Sequence, residues 1–421
     1  MPKSSAAPKT AAKTAAKTDS AAATPPTFLR LPAELKYQEE LEYLRSQDTG
    51  PKPFSWLLSP TWVRTFVLGS TPAQKLDRPI AQKWFGDPSI VERAIVTLAS
   101  DRGLLLIGDP GTGKSWLAEL LAAAICGNST YVIQGTAGTT EDQIKYSWNV
   151  ALVIAAGQSR DSLIASPMMT AMERGAMGRF EELTRCTSDV QDALISILSE
   201  KYIAVPELKD GGADRDNPDR SNPDRSNPDR NNIIFAQPGF NVIATANSRD
   251  RGVNDLSSAL KRRFNFVHMP IVTHKKQEQE IIRFRTQELL NRHGFEVEVP
   301  PTLLDVLVQT FADLREASTT ASGDDQRLES ALSTAEQIGV LEDALLHSRH
   351  FGASSDLTTA TLLDPSSLAR SLVGTLVRRL PEDVVVLNRF WHGKVADRAQ
   401  TEGGDWATFF EAGQDALGRL H

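Results

Sequence analysis

The feature that most constrains the fold of this chain is the segment Gly108–Ser115, which reads Gly-Asp-Pro-Gly-Thr-Gly-Lys-Ser. It follows Leu104–Ile107, a short apolar run typical of a buried parallel strand, and precedes a predicted helix over 116–125. Its glycines let the backbone bend so that several N–H groups point at phosphates, and the N-terminus of the following helix adds positive charge. Lys114 is placed for the β- and γ-phosphates, and the Ser115 hydroxyl for Mg²⁺. The pattern therefore predicts a nucleotide site formed by Gly108, Asp109, Pro110, Gly111, Thr112, Gly113, Lys114, Ser115 and Trp116.

Composition is that of an ordinary globular protein. With 421 residues, 40% of them apolar and 24% charged, the chain is long enough for two or three domains. It has no apolar run of roughly 18 residues and no apolar stretch near its N-terminus, so we expect neither a membrane span nor a secretion signal. Cys126 and Cys186 are too few for a disulfide framework, which favours the cytoplasm. The net charge of −7 disfavours general binding to nucleic acid.

The chain divides into four predicted regions. An Ala-, Lys- and Thr-rich tail lacks the apolar residues needed to offset the entropy of ordering. After a short extension, strand-like apolar runs alternate with helical spacing, which predicts an α/β fold with a parallel sheet flanked by helices. Beyond Thr273 only amphipathic helical patterns recur. The predicted regions are a disordered tail over 1–26, a helical or irregular extension over 27–79, the α/β core over 80–272, and a helical lid and C-terminal region over 273–421.

Individual elements can also be placed from periodicity and turn signals. The predicted strands besides Leu104–Ile107 are Tyr131–Ile133, Ala176–Phe180, Asn241–Thr245 and Phe264–Met269. The predicted helices outside the core are Ala33–Ser46, Gln277–Arg292, Leu303–Leu314, Thr334–Leu346 and Ser366–Leu380.

One insertion interrupts the core. Tyr202–Val205 and Ile233–Phe235 have strand composition and predict a β-hairpin. Their connection, over 209–232, carries Asn-Pro-Asp-Arg three times, which is a repeat of turn formers with alternating charge. This repeat is typical of a solvated loop, and a partner-binding finger is the alternative.

A nucleotide site of this kind needs carboxylates on a strand beside the phosphate loop. Glu181-Glu182 directly follows Ala176–Phe180 and is the adjacent acidic pair in the right interval. We assign Glu181 to Mg²⁺ and Glu182 to activation of the attacking water. The alternative is that this pair ends a solvated helix.

Two further polar segments fit the same site. Asn247 follows Asn241–Thr245, and the carboxyl end of a central strand faces the ligand crevice of an α/β protein. Asn247 is therefore a candidate for orienting the water, with a turn-forming role as the alternative. Arg262 and Arg263 precede Phe264–Met269 and are candidates for an arginine finger that enters a neighbouring subunit's site. Their alternative role is to complement the dipole at the C-terminus of a helix.

In order and spacing these motifs resemble those of the AAA+ ATPases, in particular the MoxR-like or dynein-related branch. The resemblance implies an AAA+ core followed by a helical lid, a Walker B element at Arg179–Glu182 and a sensor 1 residue at Asn247. It also implies an arginine finger at Arg262 or Arg263. ATP and Mg²⁺ are the implied ligands, a ring homo-oligomer, commonly a hexamer, is the implied assembly, and the implied partner is a protein, for example one with a von Willebrand factor A domain.

The sequence departs from that family pattern at two positions. The family's Walker B element ends in Asp-Glu, whereas Glu181 is one methylene longer, which changes the reach of its carboxylate by about 1.5 Å. The lid usually carries a sensor 2 arginine soon after a serine, whereas here Ser333 is followed by Glu336, with Arg370 as a substitute on the next helix. We therefore expect secure nucleotide binding and slower hydrolysis.

Three functions agree with these motifs. The first is an ATP-driven, chaperone-like machine that remodels or activates a partner protein. The second is a nucleic-acid motor of the restriction type, with a pore loop at Lys145–Trp148. The third is a nucleotide-gated scaffold with little hydrolysis. No residue distinguishes adenine from guanine, so ATP is expected from the family resemblance alone.

Overall fold

The computed structural model describes residues 29–208, 232–247, 254–272, 274–293, 299–320, 328, 332–351 and 363–420. The predicted tail over 1–26 and the Asn-Pro-Asp-Arg repeat lie outside these ranges. Over the described part of the chain, no helix is both long enough and apolar enough to cross a membrane.

Nine strands occur in the described residues. They are β1 Gly103–Gly108, β2 Val132–Gln134, β3 Tyr146–Trp148, β4 Leu163–Ala165, β5 Met177–Glu181, β6 Tyr202–Ala204, β7 Ile233–Phe235, β8 Asn241–Asn247 and β9 Phe264–Met269. Five of them form one parallel sheet in the order β2-β5-β8-β1-β9. The pairs β3–β4 and β6–β7 form two antiparallel hairpins.

Helices surround the sheet and then continue alone to the end of the described chain. The helices up to the sheet's last strand are α1 Ala33–Lys36, α2 Gln38–Gln47, α3 Pro60–Leu68, α4 Pro88–Leu98, α5 Lys114–Cys126, α6 Glu141–Ile144, α7 Val150–Ala156, α8 Pro167–Arg174, α9 Ser188–Ser199 and α10 Ser258–Lys261. The later helices are α11 Lys275–Arg292, α12 Pro301–Thr320 and α13 Thr334–Phe351, followed by Pro365–Leu376, Glu382–Phe390, a π-helical turn Trp391–Val395, Ala396–Glu402 and Gly404–Gly418.

The sheet has a hydrophobic core on each face because side chains alternate along a strand. On β1, Leu104 and Leu106 join the cluster that includes the apolar face of α5, whereas Leu105 joins the opposite cluster. Every residue of β8 is buried, as expected for a strand with helices on both sides. The same two-faced burial explains why β1 is apolar without alternation.

Parallel pairing brings the carboxyl ends of the central strands to one edge of the sheet. Gly108, the last residue of β1, lies opposite Asn247, the last residue of β8. Glu181 ends the neighbouring strand β5 on the same side. The amino end of β1, at Gly103, lies instead opposite Phe264 at the start of β9. Candidate residues at strand ends therefore meet at one edge, and residues before β9 lie at the other.

The predicted α/β class, the parallel sheet, the β-hairpin insertion and the helical C-terminal region are confirmed. Several predicted helix bounds are wrong. The helices α12 and α13 extend to Thr320 and Phe351, beyond the predicted ends at Leu314 and Leu346. The helix predicted over Ala33–Ser46 is interrupted at Tyr37, whose backbone leaves the helical region (φ −113°, ψ 28°). The helix predicted over Ser366–Leu380 ends at Leu376, because the Asp383 carboxylate accepts the backbone N–H groups of Arg378 and Arg379 and draws the chain out of the helix.

The helices after β9 bury a hydrophobic core of their own. The Trp391 and Phe409 rings stack there with centroids 5.0 Å apart, and the Trp391 indole N–H donates to the Phe410 carbonyl at 2.9 Å. In front of the sheet, Trp56 is buried with Phe66 in the cluster around α5.

Candidate active site

The loop between β1 and α5 has the conformation expected of a phosphate-binding loop. Gly111 and Gly113 have φ values of +76° and +82°, in the left-handed region that glycine adopts without a steric penalty. α5 begins at Lys114, so the loop N–H groups and the helix N-terminus converge on the same space. The buried Lys114 ammonium donates to the carbonyls of Gly108 and Asp109, each at 2.9 Å. The positive charge is therefore held against the loop, where phosphates would bind.

Glu181 is buried at the end of β5 and faces the first turn of α5. Its Oε2 accepts hydrogen bonds from the hydroxyls of Ser115 at 2.6 Å and Thr245 at 2.7 Å. Its Oε1 accepts from the Arg179 guanidinium at 2.7 Å. The alternative that Glu181-Glu182 ends a solvated helix is wrong, because a buried strand ends here. Hydroxyl and carboxylate oxygens are the donors that Mg²⁺ prefers, so Ser115 and Glu181 fit the predicted metal.

Glu182 has a backbone conformation unusual for a residue with a side chain, with a φ of +56°. Its N–H donates to the Thr245 hydroxyl at 3.0 Å. Its carboxylate accepts from the Asn247 amide at 2.7 Å and from Arg185 Nε at 3.2 Å. Asn247 is buried at the end of β8, so the alternative of a turn-forming asparagine is wrong. Strained residues of this kind cluster at functional sites, where surrounding contacts hold them in place.

A pocket opens beside the phosphate loop. The indole N–H of Trp116 donates to the Lys83 carbonyl at 2.9 Å, and the Arg285 guanidinium lies over the Trp116 ring, 4.9 Å from its centroid. The Phe85 and Phe284 rings are 5.6 Å apart at their centroids. The pocket is lined by Lys83, Trp84, Phe85, Asp109, Pro110, Gly111, Thr112, Gly113, Trp116, Ile271, Val272, Ile281, Phe284, Arg285, Ser333 and Thr334. It lies between the phosphate loop, the segment 83–85 before α4 and the helical region, around a mostly apolar space.

Comparison with known proteins identifies the family. The model of the AAA domain of the dynein-related subfamily matches residues 103–264, and the model of the YehL-like AAA+ ATPase C-terminal domain matches residues 276–417. The chain is 38% identical to YehL of Escherichia coli (strain K12) over 383 residues, which cover 91% of this chain and 96% of that protein. The chain belongs to the YehL-like AAA+ ATPases. The predicted resemblance to the dynein-related branch of AAA+ proteins is confirmed.

The chain is also similar, more distantly, to one further protein sequence and to solved structures. YojN of Bacillus subtilis (strain 168) is 23% identical over 209 residues, which cover 49% of this chain and 61% of that protein. Among solved structures, NtrX from Brucella abortus is similar with a TM-score of 0.43 and 12% identity, covering 85% of this chain and 69% of that chain. A putative ATPase from Cytophaga hutchinsonii ATCC 33406 is similar with a TM-score of 0.36 and 15% identity, covering 92% of this chain and 98% of that chain.

The helical lid of this YehL-like ATPase touches the phosphate loop through Ser333. A Cβ atom on Gly111 would lie 2.5 Å from the Ser333 hydroxyl oxygen, so this approach requires glycine at 111. Ser333 in turn is held by Glu336, whose carboxylate accepts the Ser333 backbone N–H at 2.8 Å and pairs with Arg378 at 2.6 Å. Glu336 therefore closes the first turn of α13, at the position that sequence comparison with the AAA+ family assigns to the sensor 2 arginine. Arg370, the predicted substitute, is exposed on the helix Pro365–Leu376.

The buried carboxylate of Glu278 holds the first turn of α13 in place. Glu278 is fully buried and receives both ends of the Arg315 guanidinium, at 2.8 and 2.7 Å. It also accepts from Gln337 at 2.5 Å and from the Thr334 hydroxyl at 3.3 Å. Side chains from α11, α12 and α13 thus meet at the Glu278–Arg315 ion pair, next to Ser333. Neither this ion pair nor the position of Arg285 is predictable from the sequence, because helical periodicity does not indicate which polar residues meet.

Arg262 and Arg263 of the YehL-like ATPase lie at the opposite edge of the sheet from the phosphate loop. The Arg263 carbonyl accepts the N–H of Gly103, the first residue of β1, whereas the phosphate loop begins at Gly108, the last. At about 3.3 Å per residue, this separation along the strand is roughly 17 Å. Arg263 Nε donates to the Ser199 hydroxyl at 2.6 Å, and Arg262 is exposed.

The segment Lys145–Trp148, the predicted pore loop of the nucleic-acid alternative, forms strand β3 and the turn before it. Lys145 pairs with Glu141 at 2.5 Å, and the Tyr146 hydroxyl donates to Glu207 at 2.8 Å. Burial and the neighbouring Glu207 carboxylate raise the pKa of Tyr146 above its ordinary value. The basic and phenolic groups of this segment are therefore engaged within the chain.

Proposed function

We propose that this chain is an ATPase that binds and hydrolyses ATP with Mg²⁺, works as a cytoplasmic ring oligomer, and uses turnover to remodel or activate a partner protein. One observation carries the proposal. Lys114, Ser115, Glu181, Glu182 and Asn247 meet at the carboxyl edge of the sheet, whereas Arg262 is exposed at the opposite edge. One chain therefore supplies the phosphate-binding and catalytic carboxylate groups of the site. Its exposed Arg262 guanidinium is available to complete the site of a neighbouring chain.

Each residue of that half-site has a chemical task. The loop N–H groups and Lys114 bind the phosphates, and Ser115 with Glu181 would hold Mg²⁺, which offsets phosphate charge when bound. Glu182 is the base or orienting group for the attacking water, because it directly follows Glu181 at the end of β5 and its carboxylate accepts a hydrogen bond from the Asn247 amide. These tasks are those of a phosphoryl-transfer site, in which positioning and electrostatics do most of the work.

The pocket beside the loop supports adenine over guanine. Its aromatic and aliphatic lining suits a stacked base. Guanine carries an extra amino donor next to its ring N–H, and a carboxylate is the side chain that accepts both. Among the lining residues within the described part of the chain, the sole carboxylate is that of Asp109, which belongs to the phosphate loop. ATP is therefore the proposed substrate.

Mixing two variants of low activity tests whether Arg262 acts in the nucleotide site of a neighbouring subunit. Lys114→Ala loses nucleotide binding but keeps Arg262, and Arg262→Ala keeps its nucleotide site but loses the cation. If Arg262 acts in the neighbouring site, each variant alone hydrolyses ATP poorly, and mixing them restores turnover at the mixed interfaces. The matched control is Arg263→Ala in place of Arg262→Ala, since Arg263 is bonded to Ser199. Failure of any mixture to exceed the sum of its components would contradict the proposal.

A protein partner is supported by exposed apolar side chains on one element. α7 follows the β3 strand and exposes Val150, Leu152 and Ile154 at 68%, 43% and 82% of their surface. Nucleic acid would favour basic side chains here, whereas apolar ones suit a protein surface. A partner with a von Willebrand factor A domain is the specific form of this proposal and rests on the family resemblance.

The test uses the Glu182→Gln variant, which should bind ATP without hydrolysing it. This variant should retain the partner protein, and Ile154→Asp in the same background should release it. Stimulation of turnover by DNA or RNA, weakened by salt, would favour the nucleic-acid motor instead.

A further inference from the structure

Arg179 is an unusual residue for its position. It lies in the middle of β5, paired in register with Val132 on one side and Ile243 on the other. Only 7% of its surface is exposed. A buried guanidinium is costly unless charge and hydrogen bonds compensate for its lost hydration. Its presence between two apolar neighbours therefore calls for a specific set of partners.

Those partners come from three segments around the metal-binding side of the site. Nη1 of Arg179 donates to the Ser129 carbonyl at 2.9 Å, in the connection before β2. Nη2 donates to the Ser115 carbonyl at 3.2 Å and to Oε1 of Glu181 at 2.7 Å. One planar group thus ties the first turn of α5 to the end of β5. Lysine has no fixed fork of donors and cannot reproduce this arrangement.

The contact with Glu181 decides which carboxylate oxygen faces the nucleotide. Because Arg179 occupies Oε1, Oε2 is left for the Ser115 hydroxyl at 2.6 Å and the Thr245 hydroxyl at 2.7 Å. A glutamate has one more rotatable bond than an aspartate, so more rotamer freedom must be removed to hold its carboxylate. Arg179 removes that freedom and offsets one charge next to Glu182.

We propose that Arg179 is a positioning residue, which fixes Glu181 and the Ser115 turn in the geometry that Mg²⁺ and the nucleotide phosphates require. The inference rests on the proposed function, because it assumes a magnesium–nucleotide complex at this site. Arg179 thereby compensates for the extra methylene of Glu181. The longer side chain can serve in the place of an aspartate because Arg179 anchors its carboxylate.

The test measures nucleotide affinity, with and without metal, rather than turnover. The probe is a fluorescent, non-hydrolysable ATP analogue, titrated in excess Mg²⁺ and again in EDTA, and the readout is the ratio of the two dissociation constants. In Arg179→Met we expect the strengthening by Mg²⁺ to fall about tenfold, with affinity in EDTA changed less than about threefold. Arg179→Lys should recover part of the ratio because it keeps the charge. Arg174→Met, on the exposed end of α8, is the matched control and should leave the ratio unchanged.

A second pair of variants covers the case in which Arg179→Met leaves Glu181 as an unpaired buried charge and fails to fold. Glu181→Gln alone and Arg179→Met with Glu181→Gln both lack that charge. If Arg179 acts through Glu181, the two give the same magnesium ratio. A lower ratio in the double variant, or an unchanged ratio in Arg179→Met, overturns the inference. If the wild-type chain fails to bind the analogue in either buffer, the proposed function fails and the inference fails with it.

Discussion

The side-chain amide of Asn247 donates to the Glu182 carboxylate at 2.7 Å, which joins the ends of the neighbouring strands β8 and β5. Glu182 reaches this contact from a left-handed backbone conformation, supported by its N–H bond to Thr245. Because Thr245, Asn247 and Arg185 hold Glu182 in this strained conformation, its position is fixed before the nucleotide binds. The acid proposed to activate water is thus preorganised.

Glu182→Gln should separate binding from chemistry. The amide keeps the size of the side chain and can still contact Asn247, but it cannot accept a proton. We expect turnover to fall roughly 100-fold or more, whereas nucleotide affinity should change little. Phosphate release and fluorescent-nucleotide titration measure the two quantities. Glu200→Gln, on the exposed residue after α9, is the control and should be silent. Equal turnover in wild type and Glu182→Gln would favour the nucleotide-gated scaffold.

Gly111→Ala should weaken nucleotide binding. A Cβ atom at this position meets the Ser333 hydroxyl at 2.5 Å, and the φ of +76° is strained for alanine. The penalty of about 1–2 kcal/mol falls on the loop conformation that binds phosphate, so affinity should drop about tenfold. Gly339→Ala is the contrasting change, since Gly339 lies inside α13 with no atom near its would-be Cβ. That variant should raise the free energy of unfolding by about 0.5–1 kcal/mol and leave affinity unchanged.

The residues of the phosphate loop were predictable because they are contiguous. One strand, one glycine pattern and one helix determine their geometry, so Gly108–Ser115 could be placed from local sequence. The acidic pair is predictable as well, although Arg179 makes β5 more polar than a buried strand usually is. Its polarity has a physical reason, since Arg179 pairs with the Glu181 carboxylate that follows it.

The contacts between the core and the lid could not be predicted in the same way. Ser333 against Gly111 and Arg285 over Trp116 join residues far apart in sequence, and periodicity shows only that a helix is amphipathic. Glu336 illustrates the consequence. From sequence it marks a missing sensor 2 arginine, whereas in three dimensions it caps α13 and pairs with Arg378. A polar residue's role depends on its partner, which one sequence leaves open.

Glu278→Ala should destabilise the lid more than any exposed change. The carboxylate is fully buried, and its removal leaves the Arg315 guanidinium without its negatively charged partner. Breaking a buried pair costs about 3–5 kcal/mol, and the partly exposed Arg315 favours the lower end. The matched control is Glu402→Ala, which breaks the exposed i,i+4 pair with Arg398 and should cost less than about 1 kcal/mol. Chemical denaturation measures both, and similar losses in the two variants would contradict the assigned role.

Arg285→Ala should lower nucleotide affinity by removing a wall of the pocket. The guanidinium lies over the Trp116 ring and pairs with Glu288, which also accepts from Lys36 and Tyr37 of the N-terminal extension. A cation over the half-buried Trp116 indole contributes about 0.5–1 kcal/mol, so loss of this covered surface should weaken binding about two- to fivefold.

The neighbouring exposed arginine on α11 supplies the control for that change. Arg283→Ala removes the same charge from the same helix without touching the pocket lining, so long-range electrostatics change equally in both variants. Titration of a fluorescent ATP analogue compares them directly. Arg285→Lys should lie between wild type and Arg285→Ala, because lysine keeps the charge but cannot stack as a plane. Equal affinities for Arg285→Ala and Arg283→Ala would show that the Trp116 contact closes the lid without contributing to the bound nucleotide.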